Sequence, residues 1–196
     1  RDFYLNQVIG ERSRNDNNAI YTMADAVFSA SFLNTCLRNC DLVQMACFSP
    51  VVNTRGAIFT HPDGIVLRPQ YFVFELYANL LQDNVLNHWS EDVPTLSGCV
   101  NEKTKTIDVV DVVITHGNGH YAIAAINKAP EAWHTIELAM IDDEVKEMRI
   151  HTLNGSVVDS YNDIDKTEVG VTVTAWTKYA GLIRLAPHSV NMIELR

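Results

Sequence analysis

Four cysteines and two spaced histidines are the residues of this chain whose types could support metal or thiol chemistry. Cys36 and Cys40 stand one helical turn apart, Cys47 follows inside the apolar run RNCDLVQMACFSPVVN at 38–53, and Cys99 is alone. A structural zinc site wants four ligands, yet there is no C-x-x-C pair and no histidine before His61. The four are expected to be reduced, inert thiols that serve as small core residues. His116 and His120 have the i,i+4 spacing of a metal pair on a helix, but Gly117-Asn118-Gly119 between them spells a hairpin turn. Carboxylates form no better constellation: Glu75 falls in a helical pattern as an exposed residue, and Asp142-Asp143-Glu144 reads as a solvated turn. G-x-S-x-G, H-E-x-x-H, G-x-G-x-x-G and a phosphate-cradling glycine loop are all missing. No metal and no cofactor are therefore expected, and neither carboxylate group makes a good general acid. Tyr71, Phe72, Phe74 and Tyr77 recur at helical spacing and read as packing rather than as a sugar platform. Trp133, Trp176 and Tyr179 occupy strand or loop positions; the two tryptophans are expected in core or interdomain packing, whereas an exposed coplanar pair would suit a carbohydrate-binding module.

The elements that must position these residues divide the chain in two. Residues 1–21 are polar and loop-like. Thr22-Met23-Ala24-Asp25 has the form of a capping box, and Met23, Val27, Ala30, Leu33 and Leu37 follow at helical spacing, which predicts a helix over 22–38 that stops at Asn39. Residues 42–48 are apolar on both alternating faces, the pattern of a buried parallel strand, so that Ser49, Pro50 and Asn53 form its exit. Pro69 opens a second helix over 69–82, with Phe72, Leu76 and Leu80 on one face. From about residue 91 the texture changes to short β-branched runs separated by turn signals: IDVVDVVITH, HYAIAAINK, HTIELAM, VKEMRIHTL, GVTVTAW, GLIRLA and SVNMIEL. These predict an antiparallel sandwich. The expected domains are 1–90, of α/β type, and 91–196, all β. A single parallel strand between two helices leaves its backbone edges unpaired, so the first part looks incomplete and needs neighbouring strands from elsewhere.

Composition narrows the partners. With 196 residues, 47% hydrophobic and 20% charged, the chain can bury one good core or two small ones. A net charge of −9 argues against nucleic acid and anionic membrane surfaces, which are bound by clustered lysine and arginine. No apolar segment approaches the roughly 20 residues of a membrane helix. Arg1-Asp2-Phe3 does not begin a signal peptide, and a cytoplasmic location is expected; since the first residue is not Met, further sequence upstream is expected as well.

Four collinear segments resemble the C-terminal part of the α-L-arabinofuranosidases of glycoside hydrolase family 51. ADAVFSASFLNTCLRNCDLVQMACFSPVVN is similar to the family's last barrel helix–strand passage, and IVLRPQYFVFELYAN to the helix after it. LNGSVVDSYNDIDKTEV resembles a segment of its C-terminal domain, and LAPHSVNMIEL its closing strand. The resemblance implies a mainly β fold with an α/β remnant: a C-terminal jelly-roll β-sandwich preceded by the last helix-strand-helix elements of a (β/α)8 barrel. Residues 22–38 would be the seventh barrel helix, 42–48 the eighth strand and 69–82 the eighth helix. Barrel enzymes place their chemistry at the C-terminal strand ends, so Ser49 and Asn53 are implied as substrate-binding residues. Pro50 stands where the family commonly has a glutamine and cannot supply an amide hydrogen bond.

Family members are retaining enzymes that remove terminal arabinofuranosyl groups, using an acid/base glutamate and a nucleophilic glutamate. Both would lie upstream of Arg1, which leaves this chain silent by itself. The implied partners are an arabinofuranosyl-containing saccharide, the upstream barrel of the same protein and a possible homo-oligomer. The rival expectation is a stand-alone carbohydrate-binding or interaction β-sandwich module.

Overall fold

A computed structural model describes residues 21–139 and 145–196. Helix α1 (Met23–Arg38) is followed by the hairpin β1 (Ile58–His61) and β2 (Gly64–Leu67), then α2 (Pro69–Leu80) and β3 (Asn84–Leu86). The next strands are β4 (Thr95–Val100), β5 (Lys103–Asp108), β6 (Val110–Gly117), β7 (His120–Asn127), β8 (His134–Glu137) and β9 (Glu147–Asn154). Then come β10 (Asn162–Asp163), β11 (Lys166–Thr167), β12 (Gly170–Val173), β13 (Thr177–Lys178), β14 (Leu182–Leu185) and β15 (Ser189–Leu195). The chain is mainly β, and no described helix is long and apolar enough to cross a membrane.

The main sheet is antiparallel throughout and runs β12-β9-β15-β7-β6-β3, with β13 also on β9. Period-two alternation gives it two apolar faces. On one, Ala122, Ala124 and Ile126 of β7, Leu153 of β9, and Val190 and Met192 of β15 meet Met23, Ala26 and Ala30 of α1 and Val73, Leu76 and Tyr77 of α2. On the other, Ile123, Ala125, Ile193 and Leu195 pack with Ile183 and Leu185 of β14 and Ile136 of β8, strands that form a separate antiparallel pair. The order of layers is helices, sheet, two-stranded ribbon. β3 lies in the main sheet and both helices lie on it, so elements on either side of residue 91 share one sheet and one core.

Local chemistry explains the element ends. The Thr22 N–H donates to Asp25 Oδ2 at 2.8 Å, one arm of the expected capping box. The next two amides, of Met23 and Ala24, donate to the carbonyls of Ser160 and Val158, each at 3.0 Å, so the orphan donors of the helix start are met by the loop after β9. Asn39 ends α1, and Pro69 occupies the first turn of α2, where its missing N–H costs nothing. Asn118 (φ 53) and Gly119 (φ 77) form the two-residue turn between β6 and β7.

Four expectations are corrected. Residues 42–48 form no strand: among the described residues no neighbouring strand lies beside them to pair with their backbone, Leu42 is 79% and Met45 81% exposed, and only Phe48 at the end of the segment packs, its ring 5.3 Å from that of Phe74 on α2. The cysteines are free thiols but not core residues: Cys40 and Cys47 belong to the uncovered stretch after α1, and Cys99 to the β4–β5 hairpin, and all three are exposed, with Cys36 partly covered. Of the two places expected for Trp133, core or interdomain packing, the first is overturned: it is 53% exposed and outside the core. The run 107–116, expected as one strand, also divides at Val109, whose N–H donates to the Pro94 carbonyl at 2.8 Å.

Gly155 leads into the loop that holds the start of α1. A Cβ there would lie 2.5 Å from Ser160 Cβ and 3.2 Å from Val169 Cγ2. Gly155→Ala is expected to destabilise the chain by about 1–3 kcal/mol through overpacking, seen as a lower urea midpoint at unchanged m-value; an unshifted midpoint would mean that the loop yields freely.

Candidate functional site

The implied substrate residues lie on a loop that the sequence closes by three devices. First, the backbone folds back on itself: the Asn53 N–H donates to Ile58 O at 2.7 Å, the Ile58 N–H donates to Val51 O at 3.1 Å, and Val52 forms a parallel bridge with Ile58. Second, Asn53 (φ 57) and Thr54 (φ 46) turn through the left-handed region, and Gly56 is required because a Cβ would sit 2.5 Å from the Val51 carbonyl oxygen. Asn tolerates this conformation. Thr54, a β-branched residue, stores strain of about 1–3 kcal/mol.

The third device is Arg68, the residue before α2, which is 2% exposed. Its Nη1 donates to Gly56 O at 2.7 Å and to Thr54 O at 3.1 Å, and its own N–H donates to Ala57 O at 2.9 Å. The guanidinium stacks over the rings of Tyr21, at 4.5 Å, and Phe59, at 5.4 Å. Burial lowers the Arg68 pKa, opposed by Tyr21 and Asp163, and burial raises that of the Tyr21 phenol against the pull of Arg68 and Arg55. The pair is thus a protonated phenol against a guanidinium, with the charge satisfied by carbonyls.

Within this frame Asn53 uses its side chain inward. Its Oδ1 accepts from the Thr60 N–H at 2.8 Å and from the Thr60 hydroxyl at 2.9 Å, while Nδ2 has no partner among the described residues. Ser49 is exposed, precedes a cis bond to Pro50, and makes no side-chain hydrogen bond among the described residues. The loop therefore positions Asn53 firmly and leaves Ser49 at its open entrance. Sequence reading missed Arg68, whose signal was an arginine closing the apolar strand GIVL immediately before the helix-opening Pro69.

The other residues singled out for chemistry do not converge on this loop. Glu75 is exposed on α2 and accepts from the Tyr71 hydroxyl at 3.4 Å. His116 stacks on Tyr121 with centroids 4.5 Å apart, and His120 borders a shallow depression of about 210 Å³ with Gln82, Trp176, Glu194 and Arg196. The charged groups of that depression are already paired: Glu194 bonds Arg149 and His151, Arg196 bonds Glu147, and the Trp176 ring has Arg149 at 4.8 Å and Arg196 at 4.0 Å. Tyr179 donates its hydroxyl to Leu138 O at 2.8 Å. Residues 142–144 lie outside the described residues, among which no three His, Cys, Asp or Glu side chains gather.

Arg68→Met is expected to destabilise the chain by about 2–3 kcal/mol, since it leaves buried carbonyls without their donor. Hydrogen exchange should show protection lost first at the Asn53 and Ile58 amides; retained protection there would mean that the backbone closes the loop without Arg68.

Comparison with known proteins agrees along nearly the whole chain. A family model described as alpha-L-arabinofuranosidase C-terminal domain matches residues 6–189. The alpha-L-arabinofuranosidase C of Emericella nidulans is 29% identical over 180 residues, which is 89% of this chain and 34% of that protein. The "Probable alpha-L-arabinofuranosidase C" of Aspergillus clavatus is 27% identical over 182 residues, with the same coverage of 89% and 34%. The chain thus spans about a third of the length of the curated relatives it matches. The fold is shared with the thermostable GH51 alpha-L-arabinofuranosidase of Thermotoga petrophila, at a TM-score of 0.78 and 22% identity, over 91% of this chain and 39% of that one. With one family's pattern running through the helices, the Asn53 loop and the sheet alike, the chain belongs to the alpha-L-arabinofuranosidase C-terminal domain family.

Proposed function

We propose that this chain is the C-terminal region of a retaining α-L-arabinofuranosidase of glycoside hydrolase family 51, which in intact form removes terminal arabinofuranosyl groups from arabinose-containing polysaccharides and oligosaccharides. The observation that carries the reading is the family match over residues 6–189. In this reading the sheet with its β8–β14 ribbon is a jelly-roll domain, and the helices with residues 42–48 are the end of a (β/α)8 barrel. The exposed segment supports it: Leu42, Met45 and Val51 hold apolar surface that an isolated chain has no reason to keep. Barrel strands from the upstream part would pair its backbone on both edges and cover those side chains.

The reaction needs two carboxyl groups about 5 Å apart, one attacking the anomeric carbon and the other protonating the departing oxygen, then activating the water that releases arabinose. Both come from the upstream part. This chain supplies the rim: Asn53 offers its free Nδ2 to a sugar hydroxyl while Oδ1 stays bound to Thr60, and Ser49 offers its hydroxyl.

The test is release of nitrophenol from nitrophenyl α-L-arabinofuranoside. The intact protein is expected to turn over and the 196-residue chain to be inactive; turnover by the chain alone would place the carboxyl pair within it, and an inert intact protein would overturn the reading. Asn53→Asp keeps the acceptor for Thr60 but removes the Nδ2 donor, so kcat/KM of the intact enzyme should fall about tenfold, one hydrogen bond's worth. An unchanged value would take Asn53 out of the sugar site.

A further inference from the structure

Trp133 immediately precedes β8, is 53% exposed, and carries the Arg184 guanidinium 4.3 Å from its ring centroid. A ring stacked on one side and still this exposed presents its other side to solvent. The β8–β14 register sets Arg184 opposite Thr135 and Leu182 opposite Glu137. Since Ile183, Leu185 and Ile136 point into the core, Arg184, Leu182, Thr135 and Glu137 share the outward face, and Trp133 has the parity of Thr135. Among the described residues neither Arg184 nor Glu137 enters an ion pair, and no hydrogen bond engages the Arg184 guanidinium, the Glu137 carboxylate or the Thr135 hydroxyl.

We propose that this face binds a neutral, pentose-based saccharide chain. A flat aromatic face matches the C–H side of a sugar ring. Beside it stand a fork of free donors on Arg184, a carboxylate acceptor on Glu137 and a hydroxyl on Thr135, the inventory that neighbouring sugar hydroxyls require. One positive and one negative side chain leave the face without net charge, which suits an uncharged glycan. From Trp133 to Glu137 the strand covers about 13 Å at roughly 3.3 Å per residue, room for a short oligosaccharide.

The platform is preorganised. Ile183 and Leu185, 1% and 0% exposed, anchor β14 in the core, so the outward side chains ride on a fixed ribbon and lose little freedom on binding. The contrast with Trp176 is chemical, because the arginines on that ring are already committed to Glu194 and Glu147. The apolar surface of residues 42–52 differs again. It lacks a ring flanked by free polar groups and fits a protein partner. The pentose class rests on the proposed arabinofuranosidase function; the platform itself rests on the Trp133 geometry.

The experiment is affinity electrophoresis of the intact protein in gels containing soluble arabinoxylan, with mobility in polymer-free gels as the reference. The wild type is expected to be retarded. Trp133→Ala should lose most of that retardation, Arg184→Ala should raise the apparent Kd about three- to tenfold, and Trp176→Phe should behave as wild type. The proposal is overturned if the wild type runs unretarded, if Trp133→Ala is retarded equally, or if Trp133→Ala changes the sedimentation coefficient of a wild type that ignores the polymer, which would make the face a protein contact. Turnover of the nitrophenyl glycoside is read separately: retardation without turnover keeps the platform and removes the enzyme reading, while turnover without retardation does the reverse.

Discussion

Among the described residues, both helices, the main sheet and the β8–β14 ribbon are arranged about one strand. β15 is hydrogen-bonded along both edges, to β7 over Ser189–Leu195 and to β9 from Val190 onward. It is also covered on both faces, Val190 and Met192 towards the helices and Ile193 and Leu195 towards the β14 ribbon. Its one buried amide is satisfied across three strands: Asn191 donates to Ala125 O of β7 at 3.1 Å and accepts from the Thr152 hydroxyl of β9 at 2.9 Å. A misplaced register would strand that amide and turn every core side chain to the wrong face. The central strand therefore specifies the pairing as well as supplying apolar area.

From that strand the constraint passes outward to the candidate site. Ala122 and Ala124 of β7 face Ala26 and Ala30 of α1, and small side chains on both sides let the helix lie close to the sheet. Asn34 fixes the approach: its Nδ2 donates to Ala124 O at 3.4 Å and its Oδ1 accepts from the Tyr77 hydroxyl of α2 at 2.6 Å, so one buried residue ties two helices to the sheet. α2 in turn begins beside Arg68, and Arg68 holds the carbonyls of Thr54 and Gly56. The stance of Asn53 is thus set from the centre of the sheet through a helix rather than by the loop's own composition.

Much of the fold could be read from particular residues, because the forces that shape those places are local. Thr22 with Asp25, Pro69, and Asn118-Gly119 each answer a backbone requirement within a few residues, and the corresponding helix starts and hairpin stand where expected. The stretch 42–48 could not be placed so, since an apolar run states that it wants cover and not where the cover comes from. Trp133 misled for a related reason: size and apolarity argue for burial, but the outcome hung on Arg184, fifty-one positions away in a strand whose partner the sequence does not name. At the site, Asn53 was legible only through resemblance, and Arg68 not at all, because its partners are backbone carbonyls that carry no residue signature.

The long separations have a consequence for how the molecule assembles in time. Asn34 meets its sheet acceptor 90 positions later, and β15 pairs with strands some forty to seventy residues before it. Contacts this distant in sequence must be won against loop-closure entropy before they contribute anything, so the chain belongs among slow folders. During that interval β7 and β9 present open edges and α1 an uncovered apolar side, a state in which a crowded cell favours chaperone capture or aggregation. Yield on expression should therefore depend on how long the centre of the sheet stays vacant, more than on the final stability of the packed domain.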